Sequence, residues 1–204
     1  MKATIFNVAV DLFFRKGYFA TSMSEIAKGC GIKKASIYHH FAGKEALLFA
    51  IMDTTMQDLL AHLESCLTRE NDTEGRLRAA VRGHVRFHLE RQKETFIASS
   101  ELRGLTPAHF YTVTARRDAY ESIFQELIRH GMGQGVFAPG DVKILSYAVL
   151  TLCTAGASWF RPEGRLTVDA IAAIYETFVI NGLQPARAAS GRGAAVISDV
   201  ACGH

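Results

Sequence analysis

The chain has 204 residues, of which 49% are hydrophobic and 21% charged, and a formal net charge of +3. That is enough apolar material for one large or two small domains with a real core. No apolar run is expected to approach the roughly 18 residues a membrane span needs, and the start lacks the apolar stretch of a secretion signal, so a cytoplasmic location is expected.

Helical periodicity runs through nearly the whole chain and strand signals are almost absent, so the expected fold is all-α. A first helix carries Ile5, Val8, Ala9, Leu12 and Phe13 on one face and stops at Gly17. Thr21 to Lys44 then reads as two short helices around a glycine turn. Ser22 and Glu25 have the S-x-x-E spacing in which hydroxyl and carboxylate each satisfy an orphan backbone N–H. Gly29 and Gly31 flank Cys30 and are both expected to supply the positive φ of a sharp reversal.

The run from Lys33 to Phe41 is expected to form the exposed second helix, with Ile37 and Phe41 facing inward. Lys33, Lys34 and Ser36 lie at its start, where helix dipole and side chains favour phosphate or base edges. Tyr38, His39 and His40 project as hydrogen-bonding groups. Lys44, after the Ala42-Gly43 break, is placed to open the next helix against a nucleic-acid backbone. Residues 1–50 hold seven Lys/Arg against three acids; this +4 leaves −1 for the other 154 residues. Such a local field favours a DNA-binding end over a plain αα-hairpin with solvated lysines.

A long helix is expected from Lys44 to Leu67, followed by a loop at Asn71, Asp72 and Gly75. Leu77, Val81, Val85 and Leu89 give the next stripe. Further helices are expected over Glu94 to Arg103, Ala108 to Gly131, Gly140 to Phe160 and Thr167 to Leu183. Gly131, Gly133 and Gly135 follow a helix without a preceding strand, so they read as a helix-ending turn rather than a nucleotide loop. From Pro185 the composition turns to Ala, Gly, Ser and Arg, and residues 185–204 are expected to be a flexible tail in which Arg187 and Arg192 are mostly solvated. Cys30, Cys66, Cys153 and Cys202 form no C-x-x-C pair, which argues against a zinc knuckle or disulfide scaffold.

The phrases AVDLFFRKGYFATSMSEIAKGCGI, KKASIYHHF and GKEALLFAI, within residues 3–52, resemble the tetracycline-repressor (TetR) type of bacterial transcription regulator. The resemblance implies a three-helix helix-turn-helix DNA-binding domain over 1–46 and a helical ligand-binding and dimerisation domain over 47–184. It also implies DNA contacts at Ser22, Lys33, Lys34, Ser36, Tyr38, His39, His40 and Lys44. The sequence starts almost inside the first helix, a departure from the basic arm that such regulators often carry, so no minor-groove arm is expected.

A two-fold operator needs a two-fold reader. Ile144, Leu145, Ala148, Leu152, Ala155 and Gly156 form one stripe; Ile171, Ile174, Tyr175, Phe178 and Val179 form another. The resemblance assigns both to a homodimer interface, while their periodicity fits monomer core equally well. It also places a ligand pocket between residues 77 and 160. The candidates for contact are Phe87, Leu102, Phe110, Tyr120, Phe124 and Trp159 for an apolar part, and Arg82, Arg86, Arg103, Arg116 and Arg161 for an anionic handle.

SELRGLTPAHFYTVTARRDAYESIF and SWFRPEGRLT are similar to the ligand-binding half of regulators of fatty-acid, steroid or aromatic-acid breakdown. That likeness implies a repressor released by a small hydrophobic inducer, with an acyl-coenzyme A thioester ahead of a free hydrophobic acid or a drug-like molecule controlling efflux. His84 and His88, four apart on one helix, leave a metal-responsive alternative, although two ligands do not make a site. No cofactor is expected. The chain lacks a G-x-S-x-G elbow, a phosphate-binding glycine loop and a telling carboxylate pair, so it is not expected to be an enzyme.

Overall fold

Side chains that satisfy orphan backbone groups set most of the helix starts in this computed structural model, which describes residues 1–185. Among the described residues, α1 (Lys2–Lys16), α2 (Met23–Gly29), α3 (Lys34–Tyr38), α4 (Lys44–Leu67) and α5 (Thr73–Glu90) are followed by α6 (Gln92–Ser100), α7 (Pro107–Gly133), α8 (Val142–Trp159) and α9 (Val168–Leu183). A 3-10 turn at Leu102–Gly104 joins α6 to α7. Asp72, Thr106, Asp141 and Thr167 cap α5, α7, α8 and α9 through their side-chain oxygens, and Pro107 adds a pre-set φ at the start of α7. The fold is all-helical, as expected. Arg187, Arg192 and Cys202, with the expected tail beyond Pro185, lie outside the described residues.

Two expectations about turns and helix length change. Of Gly29 and Gly31, Gly31 alone has a positive φ (68°); Gly29 is helical, and a Cβ there would stand 2.7 Å from Val8 Cγ1, so its role is close packing of α2 on α1. The second hairpin helix is shorter than Lys33 to Phe41: α3 ends at Tyr38, and the His40 and Phe41 N–H groups both return to the Ile37 carbonyl. The glycine-rich end of α7 is a helix-ending turn in which the Phe137 ring lies on Gly131, where a Cβ would meet it at 2.0 Å.

There are two apolar clusters. The first packs Ile5, Phe13, Ile26 and Ile37 against Leu47, Leu48, Ile51 and Met52 of α4, and recruits Ile97 from α6 and Val113 from α7. The second begins at Met56, Leu59 and Leu63 of the same helix and continues through Val81, Val85, Phe124, Ile128 and Ile180. Each such buried side chain contributes roughly 1.5–3 kcal/mol over exposure, so α4 is anchored along its length in both clusters. The 46/47 border read from sequence falls within α4, upstream of the point between Met52 and Met56 where one core gives way to the other.

α8 corrects the expectation that no segment is long and apolar enough to cross a membrane: Val142–Trp159 has 18 residues and a mean hydropathy of 1.3, and 28% of it is buried. Its outward apolar residues form a stripe rather than a uniform cylinder. Ile144 (62% exposed) and Leu152 of α8, like Ile174 and Phe178 (67%) of α9, present apolar side chains to solvent, a pattern suited to packing on further helices.

Candidate functional site

The hairpin is built from its caps outward. Ser22 Oγ accepts from the Glu25 N–H at 3.2 Å, and Glu25 Oε2 accepts from the Ser22 N–H at 2.9 Å, closing the expected box. The Lys16 ammonium, 2.6 Å from Glu25, together with the Ser22 bonds holds the Glu25 carboxyl at about 2. Ser22 also donates its hydroxyl proton to Glu25, so its donor is committed within the hairpin.

Lys44 is placed differently from expectation. Its Nζ donates to the Tyr18 and Thr21 carbonyls at 3.0 and 2.8 Å and sits 4.4 Å from the Tyr18 ring centroid. The ammonium thus ties the start of α4 to the α1–α2 loop. The Ala42-Gly43 break lets the side chain of the first residue of α4 fold back over the carbonyls of the loop that follows α1.

On the outer face, Lys33, Lys34, Tyr38, His39 and His40 are exposed and Ser36 is half-buried, while Ile37 and Phe41 are buried beneath them. Lys28, Lys33 and Lys34 have no ion-pair partner among the described residues. The field of the N-terminal end is therefore carried by α2, α3 and the turn between them.

Between α4, α5, α6, α7 and α8 lies a cavity of about 460 Å³, within the usual range for small-molecule sites. Met56 and Leu59 of α4, Ala98 of α6 and Leu150 of α8 supply apolar wall. Its polar edge holds His84, His88, Thr95, Arg117, Tyr120 and Thr154. His84 Nδ1 is 2.8 Å from the Tyr120 hydroxyl and its Nε2 is 3.0 Å from Thr154 Oγ1. The two imidazoles stack with centroids 4.0 Å apart. Burial, with His88 alongside, pushes His84 well below its ordinary value; burial takes His88 down to about 4 and raises the Tyr120 phenol. These three groups are neutral at pH 7.

Arg117 is the cation of this cavity. It donates to the Ala98 carbonyl, has no carboxylate partner among the described residues, and is lowered from its ordinary value by burial while staying charged. Sequence reasoning named its neighbour Arg116 instead. One residue is 100° of helix rotation, and that step turns Arg116 to Asp53 of α4 at 2.5 Å.

Of the eleven ligand contacts expected from sequence, Tyr120 lines the cavity. The others are placed elsewhere. Arg82 pairs with Glu176 at 2.5 Å and Arg86 with Asp169 at 2.9 Å, because both lie on the side of α5 opposite His84 and His88. Arg103 and Arg161 are in solvent, as are Trp159 (52% exposed) and Phe110. Phe87 and Phe124 are packed in the second apolar cluster, and Leu102 sits against the first. For the metal alternative, both nitrogens of His84 are already hydrogen-bonded, and no group of three or more His, Cys, Asp or Glu suited to a metal occurs among the described residues.

Three polar links join the cavity-bearing helices to the hairpin end. Lys93 Nζ meets Asp11 at 2.5 Å, and Glu101 accepts from the Tyr18 N–H at 3.2 Å. Glu45 accepts from His109 Nδ1 at 2.8 Å and from the Thr106 N–H at 2.9 Å. Burial pushes the Glu45 carboxyl up, but those hydrogen bonds outweigh it and hold the group below its ordinary range.

Fold and site together define a helix-turn-helix protein with a second helical module built around a cavity. Residues 5–51 match the family described as bacterial regulatory proteins, tetR family, and residues 70–183 match the tetracyclin repressor-like C-terminal domain. The chain belongs to the TetR family of transcriptional regulators. It is 24% identical over 184 residues to the HTH-type transcriptional repressor KstR2 of Rhodococcus jostii, covering 89% of this chain and 90% of that one. Among solved structures it is similar to the TetR-family regulator PfmR of Thermus thermophilus, with 32% identity and a TM-score of 0.81 over 89% of this chain and 99% of that one. It is also similar to AibR in complex with isovaleryl coenzyme A and operator DNA, with 30% identity and a TM-score of 0.80 over 90% and 98% of the two chains. These relatives are regulators rather than enzymes.

Proposed function

We propose that the chain is a cytoplasmic repressor that binds a palindromic operator as a homodimer and is released by a small hydrophobic inducer presented as an acyl-coenzyme A thioester. The observation that carries the reading is the placement of α4. Thr55, Met56 and Leu59 form one wall of the cavity, while Lys44 at the start of the same helix grips the loop that holds the hairpin. A ligand that favours one tilt of α4 changes the separation of two α3 helices in a dimer, by a coupling of about 1–3 kcal/mol.

Ile144 and Leu152 of α8 with Ile174 and Phe178 of α9 give the second copy an apolar face, which also accounts for the low burial of α8. DNA contact is assigned to Lys33, Lys34, Ser36, Tyr38, His39 and His40, with Ser22 and Lys44 holding the hairpin in shape. The apolar wall suits an acyl group and Arg117 suits its thioester carbonyl or a phosphate; the bound thioester of AibR supports that chemistry.

The test is a gel shift on the DNA upstream of the chain's own gene, titrated with long-chain and aromatic acyl-coenzyme A. Weakened operator binding is expected. If a broad thioester panel leaves affinity unchanged while a free hydrophobic compound releases the DNA, the inducer belongs to the other class.

A further inference from the structure

His88 has one nitrogen whose use the fold leaves open. Its Nδ1 lies 2.9 Å from the His84 carbonyl oxygen, which can only accept, so Nδ1 carries the proton of the neutral ring. Nε2 is then a bare acceptor. It makes no hydrogen bond to any described residue, although the side chain belongs to a residue only 6% exposed. Among the described residues no fully buried side-chain nitrogen or oxygen lacks a partner, so Nε2 reaches free space, and His88 lines the central cavity. Of the polar groups that share this cavity, His84 is paired with Tyr120 and Thr154, and Thr95 with the Arg91 carbonyl.

We infer that the inducer's acyl group carries a hydroxyl, and that this hydroxyl donates to His88 Nε2. The inference rests on the acyl-thioester reading and narrows it to hydroxyacyl thioesters. A plain alkyl or aryl group would cover Nε2 without satisfying it, which penalises the unsubstituted ligand. A site built around a hydrogen bond to a ligand hydroxyl discriminates more strongly than one built on shape alone. The apolar wall formed by Met56, Leu59 and Leu150 still takes the remainder of the acyl group.

The test uses the full chain and two matched pairs: octanoyl- with 3-hydroxyoctanoyl-coenzyme A, and benzoyl- with 4-hydroxybenzoyl-coenzyme A. Calorimetric titration should show the hydroxylated member of at least one pair binding about tenfold to a hundredfold more tightly. In His88→Phe, which keeps a flat ring without the acceptor, that ratio should fall to about one, with the plain thioester gaining affinity because it no longer covers an unsatisfied acceptor. A second measurement does not depend on the variant folding: in ¹⁵N-histidine-labelled wild type, the Nε2 resonance of His88 should move with the hydroxylated ligand and stay with the plain one. Equal affinities within both pairs overturn this inference and leave the acyl-thioester reading standing. Failure of all four thioesters to bind overturns that reading itself, and this inference with it.

Discussion

The hairpin end and the central cavity handle charge in opposite ways. At the hairpin, Lys28, Lys33 and Lys34 stay in solvent on one outer face, where their field reaches a partner and is screened by salt. In the cavity, Arg117 is a lone half-buried cation beside neutral His84, His88 and Tyr120, where the lower dielectric strengthens each polar contact. The first surface suits a large, repetitive polyanion, and the second a small ligand with few polar groups. α4 joins them, with Lys44 at one end and Met56 and Leu59 in the cavity wall.

Four experiments break or sharpen that contrast. The largest effect is expected from reversing charge at both Lys33 and Lys34: operator affinity should fall at least about a hundredfold and the slope of log K against log salt should flatten. Inducer affinity should not change. A loss in both readouts would mean that the two regions are not separable.

Next comes Arg117→Met. It should weaken acyl-thioester binding about tenfold to a hundredfold and leave operator affinity without inducer unchanged; Arg116→Met is the control that should spare ligand binding, since Arg116 is engaged with Asp53. Similar ligand loss in both variants would remove Arg117 from its assigned role.

Lys44→Met should lower stability by about 2 kcal/mol through the lost carbonyl bonds and weaken DNA binding without altering its salt slope. A slope that flattens as expected for the Lys33 and Lys34 reversal would make Lys44 a direct phosphate contact.

The smallest effect concerns pH. Burial holds the folded His88 at about 4, below the unfolded imidazole value of about 6.5. The unfolded chain therefore binds the extra proton first. This contribution to stability is complete above about pH 6.5 and drains away as pH falls towards 4. Between pH 7 and 4.5, thermal unfolding of His88→Phe should depend less on pH than that of wild type; parallel curves would mean that His88 is hydrated in the fold.

Legibility from sequence followed the range of the interactions. The capping box at Ser22 and Glu25, the stop at Gly17 and the span Lys44–Leu67 all arose from contacts within a few residues along the chain, and all were found. The inward turn of Ile37 and Phe41 under an exposed lysine-rich surface was equally visible in helical spacing. The loop partners of Lys44 were not visible in the sequence because Tyr18 and Thr21 lie more than twenty residues away. In the cavity nearly every assignment moved, since aromatic and arginine content marks the region but not which face of each helix turns inward. Charge pairing would have helped with Arg82 and Arg86 only if α9 were known to lie beside α5.

By itself, then, the amino-acid order determined the helices, their caps, the family and the basic outer surface of the hairpin, because each depends on residues close together along the chain. Tertiary packing alone decided that Arg117 rather than Arg116 enters the cavity, that His84 and His88 stack with one acceptor left over, and that Lys44 clasps a loop. Those outcomes turn on the rotation of one helix against another by a fraction of a turn, and that rotation is set by the sum of many distant apolar contacts.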